Sequence, residues 1–287
     1  MGDVVSEKSS WSFPRGHEIA PGRTTLRLLG GGNRCEVYLI RDARSGRRLV
    51  AKVLRPGLAD DEGALRALRR EAEALRELAH PVLPRGVGER FDGPYPQVVV
   101  EHLEGPTLRK LIGRDDVLPA APAVSLALEL ASALGYMAAE GWLHLDVKPG
   151  NIVMSDRPRL IDLSLARRVE RASRLSGCIG TNAYMAPEQC HPRGDVGPAA
   201  DVWGLGATLY HAVSGMRPFR EPRTRAEDGT LEDRFPQLED EPQPLPWFVP
   251  GALADAIVAC LEKDPSRRPT AKELAGNLRG VDVVDEA

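Results

Sequence analysis

Within the segment His144-Leu145-Asp146-Val147-Lys148-Pro149-Gly150-Asn151, a carboxylate, an ammonium and an amide fall inside six positions, and a second carboxylate, Asp162, follows eleven residues after Asn151. Such a set suits phosphoryl transfer. One acid can accept the proton of an attacking hydroxyl, a cation can meet phosphate charge, and an amide oxygen with a second carboxylate can hold a magnesium ion. A lone Asp or Asn in a loop is most simply a turn-capping residue; four such groups in this order and spacing argue for chemistry instead.

Groups of this kind need a scaffold. From Thr24 to about Glu104 the sequence is strand-like: Thr25–Leu29, a glycine cluster, Glu36–Arg41, the turn at Ser45-Gly46, and Arg48–Leu54, with two further strands near Val87–Arg90 and Gln97–His102. One helix interrupts them, from about Asp61 to Leu78. At 100° per residue, Leu65, Leu68, Ala72, Leu75 and Leu78 share an arc of roughly 140°, and Glu71 lies inside it. A carboxylate on a buried stripe needs a cation, and Lys52, set in the apolar strand 48–54, has the opposite need. Pairing the two satisfies both. The second half is mostly helical, over 122–140, 199–214, 250–261 and 270–278. Residues 1–23 read as a loose polar lead-in, and no internal repeat is evident.

Taken together, these segments resemble the eukaryotic-type (Hanks-type) serine/threonine protein kinase domain, in the form bacteria use, over about residues 24–280. The resemblance implies an α+β, two-lobed fold: a small antiparallel sheet lobe with one helix over 24–104, and a mainly α-helical lobe over 105–281, with an extension at 1–23, a tail at 282–287 and an ATP-holding cleft between the lobes. It also assigns roles. Asp146 is the expected catalytic base, Lys148 the contact to the transferred phosphoryl group, and Asn151 and Asp162 the ligands of Mg²⁺ or Mn²⁺. Lys52 and Glu71 become the pair that positions the ATP α- and β-phosphates. Gly30 and Gly32 match two of three loop glycines, and Cys35 stands at the third. Val37, Ala51 and Val153 are expected around the adenine ring, Val100 as gatekeeper, and the Glu101 carbonyl and Leu103 amide at the adenine edge.

Gly180-Thr181-Asn182-Ala183-Tyr184-Met185-Ala186-Pro187-Glu188 resembles the end of an activation segment, which implies that Thr181 bonds Asp146 and Lys148 and that Glu188 pairs with Arg268. Asp201 opens a helix apolar on nearly every side, so its carboxylate is expected to cap backbone N–H groups of the catalytic loop. These features speak for a protein kinase and against a small-molecule phosphotransferase. Three departures bear on activity. Leu145 replaces an arginine that would meet a phosphorylated activation segment, which leads to the expectation of activity without that phosphorylation, testable at Ser173 and Ser176. Leu163 replaces phenylalanine, and Ser164 replaces a glycine, restricting a backbone flip at Asp162. The altered loop and triplet also fit a catalytically weak pseudokinase that binds nucleotide as a scaffold. The arginines 167, 168, 171 and 174 read as a solvated face, or else as a preference for acidic partners. Over 216–250 the chain is rich in Pro and acidic residues, with only a weak helix signal.

The bulk numbers narrow the remaining classes. Net charge is −3, with no basic field to suggest nucleic acid, and 42% hydrophobic content in 287 residues can fill one large core or two smaller ones. Cys35, Cys178, Cys190 and Cys260 are scattered without a CxxC pair, which suits a reducing cytoplasm. No run is expected to approach a membrane span, and the N-terminus lacks the apolar centre of a signal peptide. The expected partners are protein substrates with Ser or Thr acceptors, with autophosphorylation among the outcomes and oligomeric state left open.

Overall fold

A computed structural model describes residues 10–113, 116–172, 177–192, 194–224 and 229–280. The chain divides into two compact units, one formed by residues up to 79 together with 84–103, the other by 80–83 and the residues from 104 onward.

The first unit is a six-stranded antiparallel sheet with one long helix. Its strands are β1 (Glu18–Ala20), β2 (Arg23–Gly31), β3 (Cys35–Asp42), β4 (Arg48–Leu54), β5 (Gly86–Arg90) and β6 (Gln97–Glu101), ordered β1-β2-β3-β4-β6-β5. Alternation along β3 and β4 sends Tyr38, Ile40, Ala51 and Val53 to one face, where they form a core with Ile19, Leu49 and Val99. Helix α1 (Glu62–Glu77) starts where Asp61 accepts the Ala64 N–H at 2.7 Å, and it buries Leu65, Leu68, Ala72 and Leu75 along with Glu71.

The lead-in differs from its loose reading. Its second half carries β1, and Trp11 and Phe13 pack on the sheet core beside Tyr95. The Trp11 indole N–H donates to the Leu54 carbonyl at 2.7 Å, and Gln97 donates to the Ile19 carbonyl at 3.0 Å. The apolar signal was present in Trp11, Phe13 and Ile19. It was masked by the Gly, Pro and Ser residues around them.

In the second unit, α2 (Leu108–Leu111) and the long α3 (Ala120–Ala139) precede the strand β7 (Trp142–Leu143) and the hairpin β8 (Ile152–Val153) and β9 (Arg159–Leu160). Then come β10 (Arg167–Arg168), which pairs with β7, and the one-turn helices α4 (Val169–Ala172) and α5 (Pro187–Cys190). The buried α6 (Pro198–Ser214), the short α7 (Leu231–Arg234), α8 (Gly251–Cys260) and α9 (Ala271–Leu278) complete it. Helix α3 packs on α6 and α9. Helix α3 meets the length and composition that a membrane crossing needs, and half of its apolar window is buried within the protein. Between α6 and α8 the described residues of the acidic, Pro-rich stretch form α7 and one 3₁₀ turn at Pro236–Leu238. The buried Phe235 and a two-pronged Arg220–Asp240 ion pair fix it in place.

Candidate functional site

Asp146 follows β7 in a loop with no regular hydrogen-bond ladder, so its position must be fixed from outside. Asp201, buried near the start of α6, does this. Its two carboxylate oxygens accept the backbone N–H groups of His144 and Leu145, each at 2.7 Å. Burial pushes the Asp201 pKa up, while His144 and these two N–H donors pull it down. Leu145 sits at φ 62°, a conformation disfavoured for a branched side chain, and Gln189 donates to its carbonyl at 3.2 Å.

Around Asp146 the side chains close a ring. The Lys148 ammonium donates to Asp146 Oδ2 and to Thr181 Oγ1, both at 2.6 Å. The Thr181 hydroxyl donates a hydrogen bond to Asp146 Oδ1 at 2.7 Å. Asn151 donates from Nδ2 to Asp146 Oδ2 at 2.8 Å and to the Asp146 carbonyl at 2.9 Å. With its amide nitrogen so engaged, Asn151 turns its oxygen the other way. The hairpin β8–β9 brings Asp162 back beside this group, because Ile161 N–H donates to the Asn151 carbonyl at 2.7 Å. Asp162 has φ 74° and accepts the Ser164 N–H at 3.3 Å. One amide oxygen and one carboxylate are hard donors that suit Mg²⁺, which commonly takes few protein ligands and completes its shell with phosphate and water. The donor chemistry of Asn151 and Asp162 therefore fits a magnesium ion.

Further supports surround the ring. Arg268 and the Glu188 carboxylate form a two-pronged ion pair at 2.6 and 2.8 Å, with the Arg268 side chain fully buried and its guanidinium 4.9 Å from the Trp203 ring centre. Tyr184, buried beside Ala183, meets the buried His211 at 2.6 Å between hydroxyl and Nδ1. Burial, with Arg109 and Arg217 nearby, pulls the His211 pKa from 6.5 to about 4. Neither His211 nor this contact was singled out in the sequence, where a histidine on an apolar helix carries no distinguishing signal. Arg167 donates to the carbonyls of Leu165 and Ala166, and Arg168 stacks on Trp142 at 4.4 Å, so neither is simply solvated. Arg174, Ser173 and Ser176 lie outside the described residues.

The sheet unit carries the other candidate groups. Lys52 and Glu71 form an ion pair, with Glu71 almost wholly buried. Antiparallel pairing sets Val37 opposite Lys52 and Gly30 opposite Val37, so these three belong to one face. Gly32 N–H donates to the Cys35 carbonyl at 3.0 Å to close the glycine turn. Of the three glycines in the turn, Gly31 has least room: a Cβ there would lie 2.8 Å from the Cys35 carbonyl oxygen. Arg55 pins the turn by donating to the Gly32 carbonyl at 2.9 Å and to Glu36 at 3.1 Å. Glu36 in turn accepts from the Tyr38 hydroxyl at 2.6 Å and the Trp11 N–H at 3.3 Å.

One expectation needs correction. Ala51 does not share the Lys52 face. It is fully buried in the opposite core with Tyr38, because adjacent strand residues point to opposite sides. Val50, two positions from Lys52 and paired with Leu39 and Val100, is on the Lys52 face instead. Alternation alone could have shown this. Glu101 ends β6, its side chain accepting the Arg85 N–H at 2.8 Å, and the Leu103 N–H has no partner among the described residues. In the second unit Val153 is buried and bridges Thr107.

The family model described as "Protein kinase domain" matches residues 23–277. The chain is 32% identical over 265 residues to "Serine/threonine-protein kinase PknB" of Mycobacterium leprae, covering 88% of this chain and 41% of that protein. It is 34% identical over 265 residues to "Probable serine/threonine-protein kinase PkwA" of Thermomonospora curvata (91% and 34%), and 32% identical over 265 residues to "Serine/threonine-protein kinase PknA" of Mycobacterium tuberculosis (89% and 60%). The chain thus spans about two fifths of the length of the first of these relatives.

Proposed function

Because the chain belongs to the protein kinase domain family, we propose that it transfers the ATP γ-phosphoryl group to Ser or Thr hydroxyls of proteins, itself included, in the cytoplasm. The observation that carries this is the closed ring of Asp146, Lys148, Asn151 and Thr181. In the step, the acceptor oxygen forms a bond to γ-phosphorus as the bond to the ADP oxygen breaks, and Asp146 takes the hydroxyl proton. Lys148 offsets the charge on the transferred group, and Thr181 holds both residues in register. Lys52, fixed by Glu71, neutralises the α- and β-phosphates, and the glycine turn offers them backbone N–H groups. Val37, Val50 and Val153 provide apolar contact for adenine, with the Glu101 carbonyl and the Leu103 N–H at its polar edge. A magnesium ion, when held by Asn151 and Asp162, would supply charge neutralisation on the phosphates. A family-typical turnover of roughly 1–100 s⁻¹ corresponds to a barrier of about 15–17 kcal/mol. The four free thiols agree with a reducing compartment.

Activity on this reading does not wait for phosphorylation of the activation segment. Leu145, buried, lines a small recess with Ile179, Gln189 and Val196, and no Arg or Lys lines it among the described residues. Among the described residues, a phosphate brought there would find the His191 imidazole but no guanidinium.

The test is transfer of label from Mg-ATP to the chain itself and to generic acceptor proteins, one basic and one acidic, by wild type, Asp146→Asn and the double variant Ser173→Ala/Ser176→Ala. Label from wild type and the double variant, but not from Asp146→Asn, is expected. Nucleotide binding without transfer by wild type would overturn the enzymatic reading, and collapse in the double variant would overturn independence from phosphorylation.

A further inference from the structure

Beside Thr181 the second unit opens a cavity of about 420 Å³. Thr181 and Asn182 form one side, and Arg217, Phe219, Arg234 and Pro236 face them. Gln237 ties the two sides together by donating to the Asn182 carbonyl at 2.8 Å and the Met185 carbonyl at 3.1 Å. The cavity starts at the residue whose hydroxyl touches Asp146, so a peptide presenting its hydroxyl to Asp146 would bring a neighbouring side chain here.

Its lining is cationic. Among the described residues, three guanidinium groups, from Arg217, Arg220 and Arg234, meet a single lining carboxylate, Glu221. Glu221 takes Arg217 at 2.5 Å in an exposed i,i+4 pair, the weakest kind of ion pair and one that an incoming anion can replace. Arg220 is held by Asp240 through both nitrogens. Arg234 stands 5.2 Å from the Phe235 ring centre and has no carboxylate partner among the described residues. A surface arginine usually only meets water. Here an unpaired guanidinium lies in a concavity continuous with the proposed base, on a chain of net charge −3.

We infer that this cavity selects protein substrates carrying an anionic side chain near the acceptor hydroxyl, with Arg234 and Arg217 as the residues that read it. The inference rests on the kinase reading above and names its substrate class. A carboxylate or a phosphoryl group offers the same planar or tetrahedral oxygen array to a guanidinium. The acid-reading role that the arginines 167 and 168 suggested in the sequence thereby moves, since Arg167 is bonded to carbonyls of its own segment and Arg168 is stacked on Trp142 of β7.

The experiment uses the full chain and a peptide set with one Ser acceptor, in which each flanking position in turn is Asp, phosphoserine, Ala or Lys. Phosphorylation gives kcat/KM, and fluorescence anisotropy without nucleotide gives binding. At one flanking position, an anionic residue should be favoured over Lys by about tenfold or more in both readouts, the difference that one charge-assisted contact supports. The ratio should fall to within about twofold in Arg234→Gln/Arg217→Gln, and Arg234→Glu should favour Lys. Asp against phosphoserine tells which anion is preferred. Equal treatment of Asp and Lys by the wild type, a comparison that needs no variant, would overturn the inference, as would a preference that survives in the double variant. If no peptide and no protein is phosphorylated, the kinase reading fails; Arg234-dependent binding of acidic peptides in the anisotropy arm would still sustain the cavity's role.

Discussion

The glycine turn and the catalytic loop are both short and irregular, yet they are held in opposite ways. The loop at 144–151 is almost entirely buried, and its backbone is bonded to the carboxylate of Asp201, more than fifty residues away in sequence. The turn at Gly30–Arg34 is exposed throughout and held by Arg55, through its side chain and its backbone N–H, by one internal backbone bond and by the end of the β2–β3 pairing. The contrast matches the two tasks proposed for them. Proton transfer demands donor and acceptor within hydrogen-bond reach, so its geometry is fixed by buried groups. Covering phosphates requires only N–H groups that can approach, and local stability can be low there.

The contrast can be broken most strongly at its buried end. Asp146→Asn should cut phosphoryl transfer roughly 100- to 10,000-fold with little change in thermal midpoint, since the amide keeps the volume; rate and midpoint measured together check this. Arg268→Ala leaves the buried Glu188 unpaired and should lower unfolding free energy by about 3–5 kcal/mol, read by denaturant titration. His211 sharpens the comparison through pH. Its folded pKa of about 4 lies below the unfolded 6.5, so the unfolded chain binds more protons in between. Stability from this group is complete above pH 6.5 and is lost as pH falls toward 4, a loss of about 3 kcal/mol. The slope of unfolding free energy against pH should flatten across that window in His211→Asn. At the exposed end the effects are smaller. Trp11→Phe removes the indole bond to Leu54 and should cost about 1 kcal/mol, while Cys35→Gly should alter the KM for ATP before it alters stability.

Much of this was legible because it is local. The spacing of Asp146, Lys148 and Asn151 sets three groups on one loop, and the stripe of α1 shows Glu71 to be buried before any fold is known. Longer-range features were harder. Trp11 and Phe13 looked like lead-in because their partners, Leu54 and Tyr95, lie far along the chain. The cationic cavity was not visible because Thr181, Arg217 and Arg234 belong to three separate segments.

By itself, the sequence determined the order of the main elements β2–β6, α1, α3, α6, α8 and α9, the composition of the catalytic loop and the need of Lys52 and Glu71 for each other. Side-chain type and period act within a few residues, and no fold is required to count them. Tertiary structure alone decided that Trp11 and Phe13 close the sheet core, that Tyr184 meets His211, and that three arginines line one cavity. Those outcomes depend on which surfaces meet when distant segments bury their apolar faces, and burial is a property of the whole chain.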